Sequence, residues 1–144
     1  MKDFSVTVQV DAPPHRVWEV MSDVERWPDW TPTVTSVRRT NAGPLRIGAR
    51  ARVQQPRLPA ATWVVTALTD GRWFDWESRA PGVRVLARHA VEPNGDGSRV
   101  TLAVQFTGLI GSLIGHATAG LNRRYIALEA DGLKRRAEAL SAHA

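Results

Sequence analysis

The sequence predicts an α+β domain in which a curved, seven-stranded antiparallel sheet wraps around one long C-terminal helix, with two short helices after the first strand. Its length of 144 residues suits one hydrophobic core. Turn residues recur at short intervals between positions 33 and 107, which favours a meander of antiparallel strands. From about position 109 to position 142 the apolar residues fall at helical spacing.

Two different periodicities indicate the N-terminal elements. Apolar side chains at positions 4, 6, 8 and 10 alternate with polar ones, which is the pattern of a strand with one buried face. Pro14 then starts a short helix, because Val17, Val20 and Met21 follow at helical spacing. A second helical turn begins near position 22 and is stopped by Pro28.

Six further strands fit between the turn signals of the middle region. We expect them at residues 33–40, 47–55, 61–69, 72–79, 83–92 and 98–107. One terminal helix closes the chain, although glycines at 108, 111, 115 and 120 leave open whether its first part is helix or loop. A sheet wrapped around one helix leaves space at its open end, so this arrangement predicts a pocket.

The composition argues for a soluble domain without disulfides. The sequence contains no cysteine, which excludes disulfides, Cys-ligated zinc and Cys nucleophiles. The N-terminal segment lacks the continuous apolar run of a signal peptide, and the apolar stretch 108–121 is shorter than a membrane span. We therefore expect a cytoplasmic protein without a transmembrane segment, present as a monomer or homodimer.

The net charge of +5 raises nucleic acids and anionic membranes as possible partners. However, the basic residues are spread from Arg16 to Arg136, so we expect no specific nucleic-acid partner. On the last helix, Arg123 and Arg124 alternate with acidic residues such as Glu129. This alternation indicates a solvated helix face.

Four runs of sequence carry a resemblance to a known family. They are residues 12–18 (APPHRVW), 23–30 (DVERWPDW), the hairpin 91–100 and the terminal run 123–136. Together with the order of elements, they resemble the START-like, Bet v 1-like superfamily (SRPBCC), specifically its bacterial polyketide cyclase/dehydrase-like group. The resemblance covers nearly the whole chain. It implies the helix-grip fold and a cavity for hydrophobic molecules such as lipids, sterols, quinones and polyketides, whereas only some members catalyse cyclisation or dehydration.

Patterns for metal or hydrolytic chemistry are missing from the sequence. The histidines at 15, 89, 116 and 143 show no close metal-ligand spacing, and no serine lies in a GxSxG motif. Gly95 and Gly97 belong to a hairpin turn and form no phosphate-binding loop. The sequence therefore implies neither a metal site nor a cofactor.

His89 is the candidate catalytic residue. Strand alternation places it on one face with Val85, Ala87 and Val91, which points it inward. Two interpretations stay open, since the imidazole is either a core group satisfied by one hydrogen bond or a group that orients a ligand and moves protons. Burial at this position lowers the pKa of a histidine and favours its neutral form.

The expected pocket lining combines large rings, inward polar groups and small residues of the last helix. It comprises Gln55, Trp63, Val65, Phe74, Trp76, His89, Phe106, Gly111, Gly115, Leu121 and Tyr125. Trp27 and Trp30 are expected at the cavity rim, with packing against the first strands as the alternative. Gly111 and Gly115 lie four residues apart and are expected to form a smooth patch of cavity wall, with tight packing on a strand or an exposed loop as the alternatives.

Three hypotheses about function follow from these observations. The leading one is binding of a hydrophobic small molecule, of polyketide, lipid or quinone type, between the sheet and the last helix. The second is a polyketide cyclase or dehydratase in which His89 moves protons while Gln55 or Tyr125 orients a carbonyl group. The third is an interaction protein that contacts RNA, the ribosome or an anionic membrane through its basic surface.

Overall fold

The computed structural model describes residues 2–142, and its strands and helices follow the predicted order. The strands are β1 (Lys2–Val10), β2 (Ser36–Arg39), β3 (Arg50–Gln54), β4 (Ala61–Thr69), β5 (Trp73–Ala80), β6 (Val83–Asn94) and β7 (Gly97–Thr107). The helices are α1 (Pro14–Ser22), a 3-10 helix (Val24–Asp29), α2 (Gly111–Ala117) and α3 (Ala119–Ala142). His143, one of the four histidines considered above, lies outside the described residues.

All the strands form one antiparallel sheet in the order β1-β7-β6-β5-β4-β3-β2. Helix α3 packs against β1 and α1. The core lies between the sheet and the helices and includes Val17, Met21, Phe74, Val100 and Leu133, each at most 1% exposed. This seven-stranded sheet, with short helices after β1 and a long C-terminal helix, confirms the predicted helix-grip fold.

The terminal helix differs from the prediction in one respect. A single helix from about 109 was expected, but α2 ends at Ala117 and α3 begins at Ala119. Thr118 lies between them with φ −104° and ψ 17°, and its hydroxyl donates a hydrogen bond to the Ile114 carbonyl at 2.7 Å. The Thr118 amide also donates to the Ile114 carbonyl, at 2.9 Å. Such bonding of a threonine hydroxyl back to the preceding turn is associated with a bend in a helix.

Ion pairs cover the outer face of β5 and β6. Arg88 donates two hydrogen bonds to Asp75, at 2.7 and 2.8 Å. Glu77 accepts from Arg79 and Arg84 at 2.8 and 2.7 Å. Burial raises the pKa of Glu77, but the two arginine hydrogen bonds outweigh it and the net shift is downward. The arginines of this face therefore neutralise carboxylates that are themselves largely buried.

Candidate functional site

A cavity of about 280 Å³ lies between the inner face of the sheet and helices α2 and α3. Most of its wall is apolar and comprises Trp27, Val34, Val53, Leu58, Pro59, Ala61, Trp63, Trp76, Val83, Val85, Ala87, Leu102, Ala103, Val104, Phe106, Ile114 and Ile126. A smaller polar set also lines it, comprising Gln55, Ser78, Arg88, His89, Thr118, Asn122, Tyr125 and Glu129. An apolar cavity with a few convergent polar groups is the usual form of a small-molecule site.

Aromatic rings surround His89 in the cavity wall. Its imidazole stacks on Phe74 with ring centroids 4.4 Å apart and an interplanar angle of 12°. The Trp27 and Trp76 rings contact it at centroid distances of 5.1 and 5.9 Å. Trp63 extends the cluster by packing on Trp76 at 5.6 Å. The strand alternation that points His89 inward therefore places it inside an aromatic cage.

The His89 imidazole is held neutral with one nitrogen free. The residue is 5% exposed, and its Nδ1 atom is buried without a hydrogen-bond partner in residues 2–142. Burial lowers the pKa of His89 to about 4, against smaller raising effects from the backbone of Phe74 and the charge of Asp75. An unpaired buried nitrogen is costly. It is also a group that a ligand can satisfy.

Glu129 is the second ionisable group of the cavity, and it comes from α3. Its Oε1 atom accepts a hydrogen bond from the Thr33 hydroxyl at 3.0 Å, and Thr33 is in turn 2.9 Å from the Thr31 hydroxyl. Both threonines are buried in the segment between the 3-10 helix and β2. Burial raises the pKa of Glu129 to about 7, against the lowering effect of the Thr33 hydrogen bond.

The cavity reaches the surface between the β3–β4 loop and α2. Two of its lining residues, Pro59 and Ile114, are exposed there. The Tyr125 hydroxyl donates to the Pro56 carbonyl, which ties α3 to this loop. Asn122 lies one helical turn earlier and donates to the Thr118 hydroxyl at 2.8 Å. We call the opening at Pro59 and Ile114 the cavity mouth.

The structure brings one part of the predicted lining together. This part comprises Gln55, Trp63, Trp76, His89, Phe106 and Tyr125. Trp27 also lines the cavity, but it is 4% exposed and contacts His89 deep in the wall, so it is no rim residue. Its indole Nε1 donates to the Met21 carbonyl at 3.1 Å, which fixes the ring in place.

Three predicted apolar lining residues lie away from the cavity surface. Val65 and Phe74 are 1% and 0% exposed and belong to the core cluster. The His89 ring stacks on Phe74, and Phe74 is absent from the cavity wall. Leu121 is half-buried on α3 but does not line the cavity, because Asn122, Tyr125 and Glu129 form the face that does.

Trp30 and the helix glycines also lie away from the cavity wall, and for them the structure favours the alternative of close packing. Trp30 packs on α3, where its carbonyl lies close to the α-carbon of Gly132, and it does not reach the cavity. Gly111 and Gly115 are buried against β6, β7 and β1 and are not cavity wall. A Cβ added to Gly115 would lie 3.1 Å from the Phe106 side chain. These glycines serve close packing of α2.

Glu129 is the functional candidate that the sequence reasoning missed. Its charge was assigned to a solvated face of the last helix. The signal that identifies it is its spacing, since it follows Tyr125 by four residues and therefore lies on the same helix face. Thr33 carries no comparable signal, because it lies in an irregular segment.

The side chains and helices of residues 2–142 bear on two other kinds of site. No group of three or more His, Asp or Glu side chains there is arranged to hold a metal ion. No helix in the same range is long and apolar enough to cross a membrane.

Comparisons with known proteins agree with this fold. A protein from Thermus thermophilus matches with a TM-score of 0.77 at 20% identity, over 97% of this chain and 99% of its own. The Zhui aromatase/cyclase from a Streptomyces species matches with a TM-score of 0.76 at 19% identity, over 95% and 93%. The structure of Ara h 8.0201 matches with a TM-score of 0.64 at 14% identity, over 92% and 97%.

The likeness to these structures concerns the fold alone. No curated protein sequence matches the chain significantly. The family model described as "Polyketide cyclase / dehydrase and lipid transport" matches residues 1–138, which is almost the full length. The chain therefore belongs to the polyketide cyclase/dehydrase and lipid transport family.

Proposed function

We propose that this protein binds a flat hydrophobic small molecule that carries hydrogen-bonding groups, of the polyketide, quinone or lipid type. The observation that carries the proposal is the cavity, whose largely apolar wall includes three tryptophan rings and which is also lined by buried His89 and half-buried Glu129. Burial of apolar ligand surface provides the affinity. Hydrogen bonds to His89 and Glu129 orient the ligand in the cavity.

The volume of the cavity limits the size of the enclosed part of the ligand. An apolar cavity of about 150 Å³ accommodates one benzene ring. The cavity of about 280 Å³ therefore suits two fused rings, with any longer substituent leaving through the cavity mouth. Aromatic side chains favour a flat ring system, because offset stacking and edge-to-face contacts add to area burial.

The two ionisable groups define which polar atoms the ligand presents. Neutral His89 lines the cavity and can present a ring nitrogen to a hydroxyl or carbonyl group, depending on which nitrogen carries the proton. Glu129 uses one carboxyl oxygen to accept from Thr33, which leaves its other oxygen for the ligand. A phenol, quinone or β-diketone carries suitable groups, whereas a saturated hydrocarbon leaves both side chains unsatisfied.

Native mass spectrometry of protein purified from its own host tests the proposal. A carried ligand is expected in the untreated protein, and it disappears after organic extraction. Ala87→Phe fills the cavity from β6, whereas Ala90→Phe places the same ring on the outer face of the same strand. Loss of the ligand in Ala87→Phe alone supports the proposal. It fails if no ligand is carried and a naphthoquinone probe leaves tryptophan fluorescence unchanged.

Catalysis of dehydration is a second candidate function, and the pairing of His89 with Glu129 favours it. The same cavity keeps one group unprotonated and the other protonated near neutral pH. In a β-hydroxy carbonyl compound, His89 would take the α-proton while Glu129 gives a proton to the departing hydroxyl group. The products are water and a conjugated double bond, and solvent restores the two protonation states.

An absorbance assay with a β-hydroxy carbonyl substrate on an aromatic ring separates catalysis from binding. If the protein is an enzyme, Glu129→Gln abolishes formation of the conjugated product while ligand binding persists. The rate is then bell-shaped in pH, with limbs near pH 4 and pH 7, where His89 and Glu129 titrate. A wild-type protein that binds the substrate without turnover is a binding protein only.

A further inference from the structure

Helix α2 packs with its glycines and exposes its large apolar side chains, the reverse of an ordinary amphipathic helix. Gly111 and Gly115 are buried, and a Cβ added to Gly115 would lie 3.0 Å from the Lys2 side chain. Leu113 and Ile114 are 69% and 37% exposed. Each glycine weakens the helix and each exposed leucine or isoleucine forgoes burial, so fold stability does not explain this arrangement.

The residues before α2 extend the same apolar surface. Leu109 is 98% exposed and Ile110 is 46% exposed. The backbone here is fixed, because the Gly82 carbonyl accepts from the Ile110 and Gly111 amides at 2.8 and 3.0 Å. We call Leu109, Ile110, Leu113 and Ile114 the α2 patch. A contiguous exposed apolar patch on an anchored segment is typical of an interaction surface.

Cations without acidic partners accompany the α2 patch. They are Lys2, Arg57, Arg123 and Arg124, which form no ion pair within residues 2–142. Lys2 lies against Gly115, and both Lys2 and Arg123 lie over the Phe4 ring, at 5.5 and 5.4 Å. Arg57 is in the β3–β4 loop that Tyr125 ties to α3. Asp3 is the exposed carboxylate of the adjoining strand.

We propose that the α2 patch docks this protein on an anionic lipid surface. Apolar side chains that enter the boundary between headgroups and acyl chains, together with arginines that contact acidic headgroups, are what such a surface binds. A second copy of the chain would bring the same cations face to face, which like-charge repulsion opposes. Nucleic acid offers these cations a partner but leaves the four apolar side chains in water.

Docking in this orientation places the cavity mouth at the bilayer. Ile114 belongs to both the α2 patch and the cavity wall. A hydrophobic molecule then passes between bilayer and cavity without crossing water. The argument for docking uses only α2 and the neighbouring cations. The docking proposal is therefore independent of whether the cavity binds the proposed ligand.

Vesicle co-sedimentation tests the apolar part of the proposal. We expect binding to vesicles of phosphatidylcholine with phosphatidylglycerol, and little binding to phosphatidylcholine alone. The double variant Leu109→Ser/Leu113→Ser weakens binding by about tenfold or more, since it removes two inserting side chains. The matched control is Ile47→Ser, because Ile47 is 63% exposed in the β2–β3 loop, away from α2.

A second pair of variants tests the charges. Arg57→Gln/Arg124→Gln removes two unpaired cations that are sequence neighbours of the Tyr125–Pro56 contact, and Arg46→Gln/Arg50→Gln removes two exposed ones just before and at the start of β3. The first pair is expected to weaken binding to the anionic vesicles and to reduce its salt dependence, and the second pair is expected to leave both nearly unchanged. Circular dichroism checks that all variants fold.

Three results overturn the proposal. One is the absence of binding to the anionic vesicles, and another is equal loss of binding in the variants and their matched controls. The third is a dimer in sedimentation velocity that Leu109→Ser/Leu113→Ser dissociates, because the α2 patch is then a self-association surface.

Discussion

At the scale of single residues, His89 and Glu129 are perturbed in opposite directions by the same cavity. Desolvation opposes charge on both, so the pKa of the imidazole falls to about 4 and that of the carboxyl group rises to about 7. Both side chains are therefore largely neutral just below pH 7. Perturbed groups of this kind concentrate at functional sites.

Replacing His89 by phenylalanine separates ligand binding from stability. The new ring retains the stacking on Phe74 and removes an unpaired nitrogen, so the free energy of unfolding stays within about 1 kcal/mol. Affinity for the ligand weakens by up to about tenfold, because one hydrogen bond is lost. Urea unfolding and a fluorescence titration with a naphthoquinone probe measure the two effects.

The control is His15→Phe, at an exposed position of α1. It is expected to leave probe binding unchanged. A large loss of stability in His89→Phe would instead support the interpretation of His89 as a core histidine.

Glu129 and His89 give stability opposite dependences on pH. The unfolded His89, with an ordinary pKa of 6.5, binds more protons than the folded one, so its contribution is lost as pH falls from 6.5 to about 4. The folded Glu129 binds more protons than the unfolded one, with a pKa of 4.5, so its contribution is lost as pH rises from 4.5 to about 7.

In Glu129→Gln, the His89 contribution to the pH dependence of stability remains and the Glu129 contribution is removed. Relative to wild type, the variant is expected to gain stability steadily as pH rises from 4.5 to about 7. In this range the wild-type carboxyl group ionises in the unfolded chain before it ionises in the folded protein. His89→Phe is expected to show the opposite slope below pH 6.5. Urea unfolding over this range measures both, and a difference from wild type that is constant with pH would contradict the assigned burial of Glu129.

At the scale of elements, α3 depends on a glycine for its contact with Trp30. A Cβ on Gly132 would lie 2.1 Å from the Trp30 carbonyl oxygen, which no side-chain rotation can relieve. Gly132→Ala is therefore expected to destabilise the protein by about 1–3 kcal/mol, although alanine is the better helix former. Differential scanning calorimetry measures the change.

Gly120→Ala provides the matched control in the same helix. A Cβ at Gly120 meets nothing within 4 Å. The substitution is expected to be neutral or to stabilise by up to about 1 kcal/mol. Equal effects of the two substitutions would mean that α3 does not approach the Trp30 backbone as described.

The regular elements were predictable from the sequence because alternation and helical spacing report which face of an element is buried. Strand alternation therefore predicted the inward orientation of His89 correctly. The faces of α2 were not predictable, since glycines pack by their lack of a side chain and leave no apolar pattern. Trp27 and Trp30 lie in and just after an irregular 3-10 helix, where neither periodicity distinguishes a buried ring from a peripheral one.

At the scale of the whole molecule, filling the cavity is expected to stabilise the fold. A ligand at about 100 times its dissociation constant adds about 2.7 kcal/mol. For a domain of 144 residues this raises the Tm by about 5–10 °C. Thermal unfolding with the extracted ligand measures the shift, and Ala87→Phe is expected to show none.

The overall charge leads to a separate prediction about nucleic acids. The cations are spread along the chain, and those on the outer face of β5 and β6 are paired with carboxylates. Binding to RNA is therefore expected to be weak and to disappear at physiological salt. Filter binding at increasing salt measures this, and tight sequence-selective binding under those conditions would restore the RNA part of the third hypothesis drawn from the sequence.

The order of strands in the sheet has a consequence for biosynthesis. β1 is made before the other six strands, yet within residues 2–142 its only strand partner is β7, and register pairs such as Val8 with Val100 join distant parts of the chain. At about 5–20 residues per second, a ribosome takes roughly 5–20 s to make the intervening chain. Contacts of such long range also slow folding. The nascent β1 strand must therefore remain unpaired for seconds, and its alternate polar residues, Asp3, Ser5, Thr7 and Gln9, limit its aggregation during that wait.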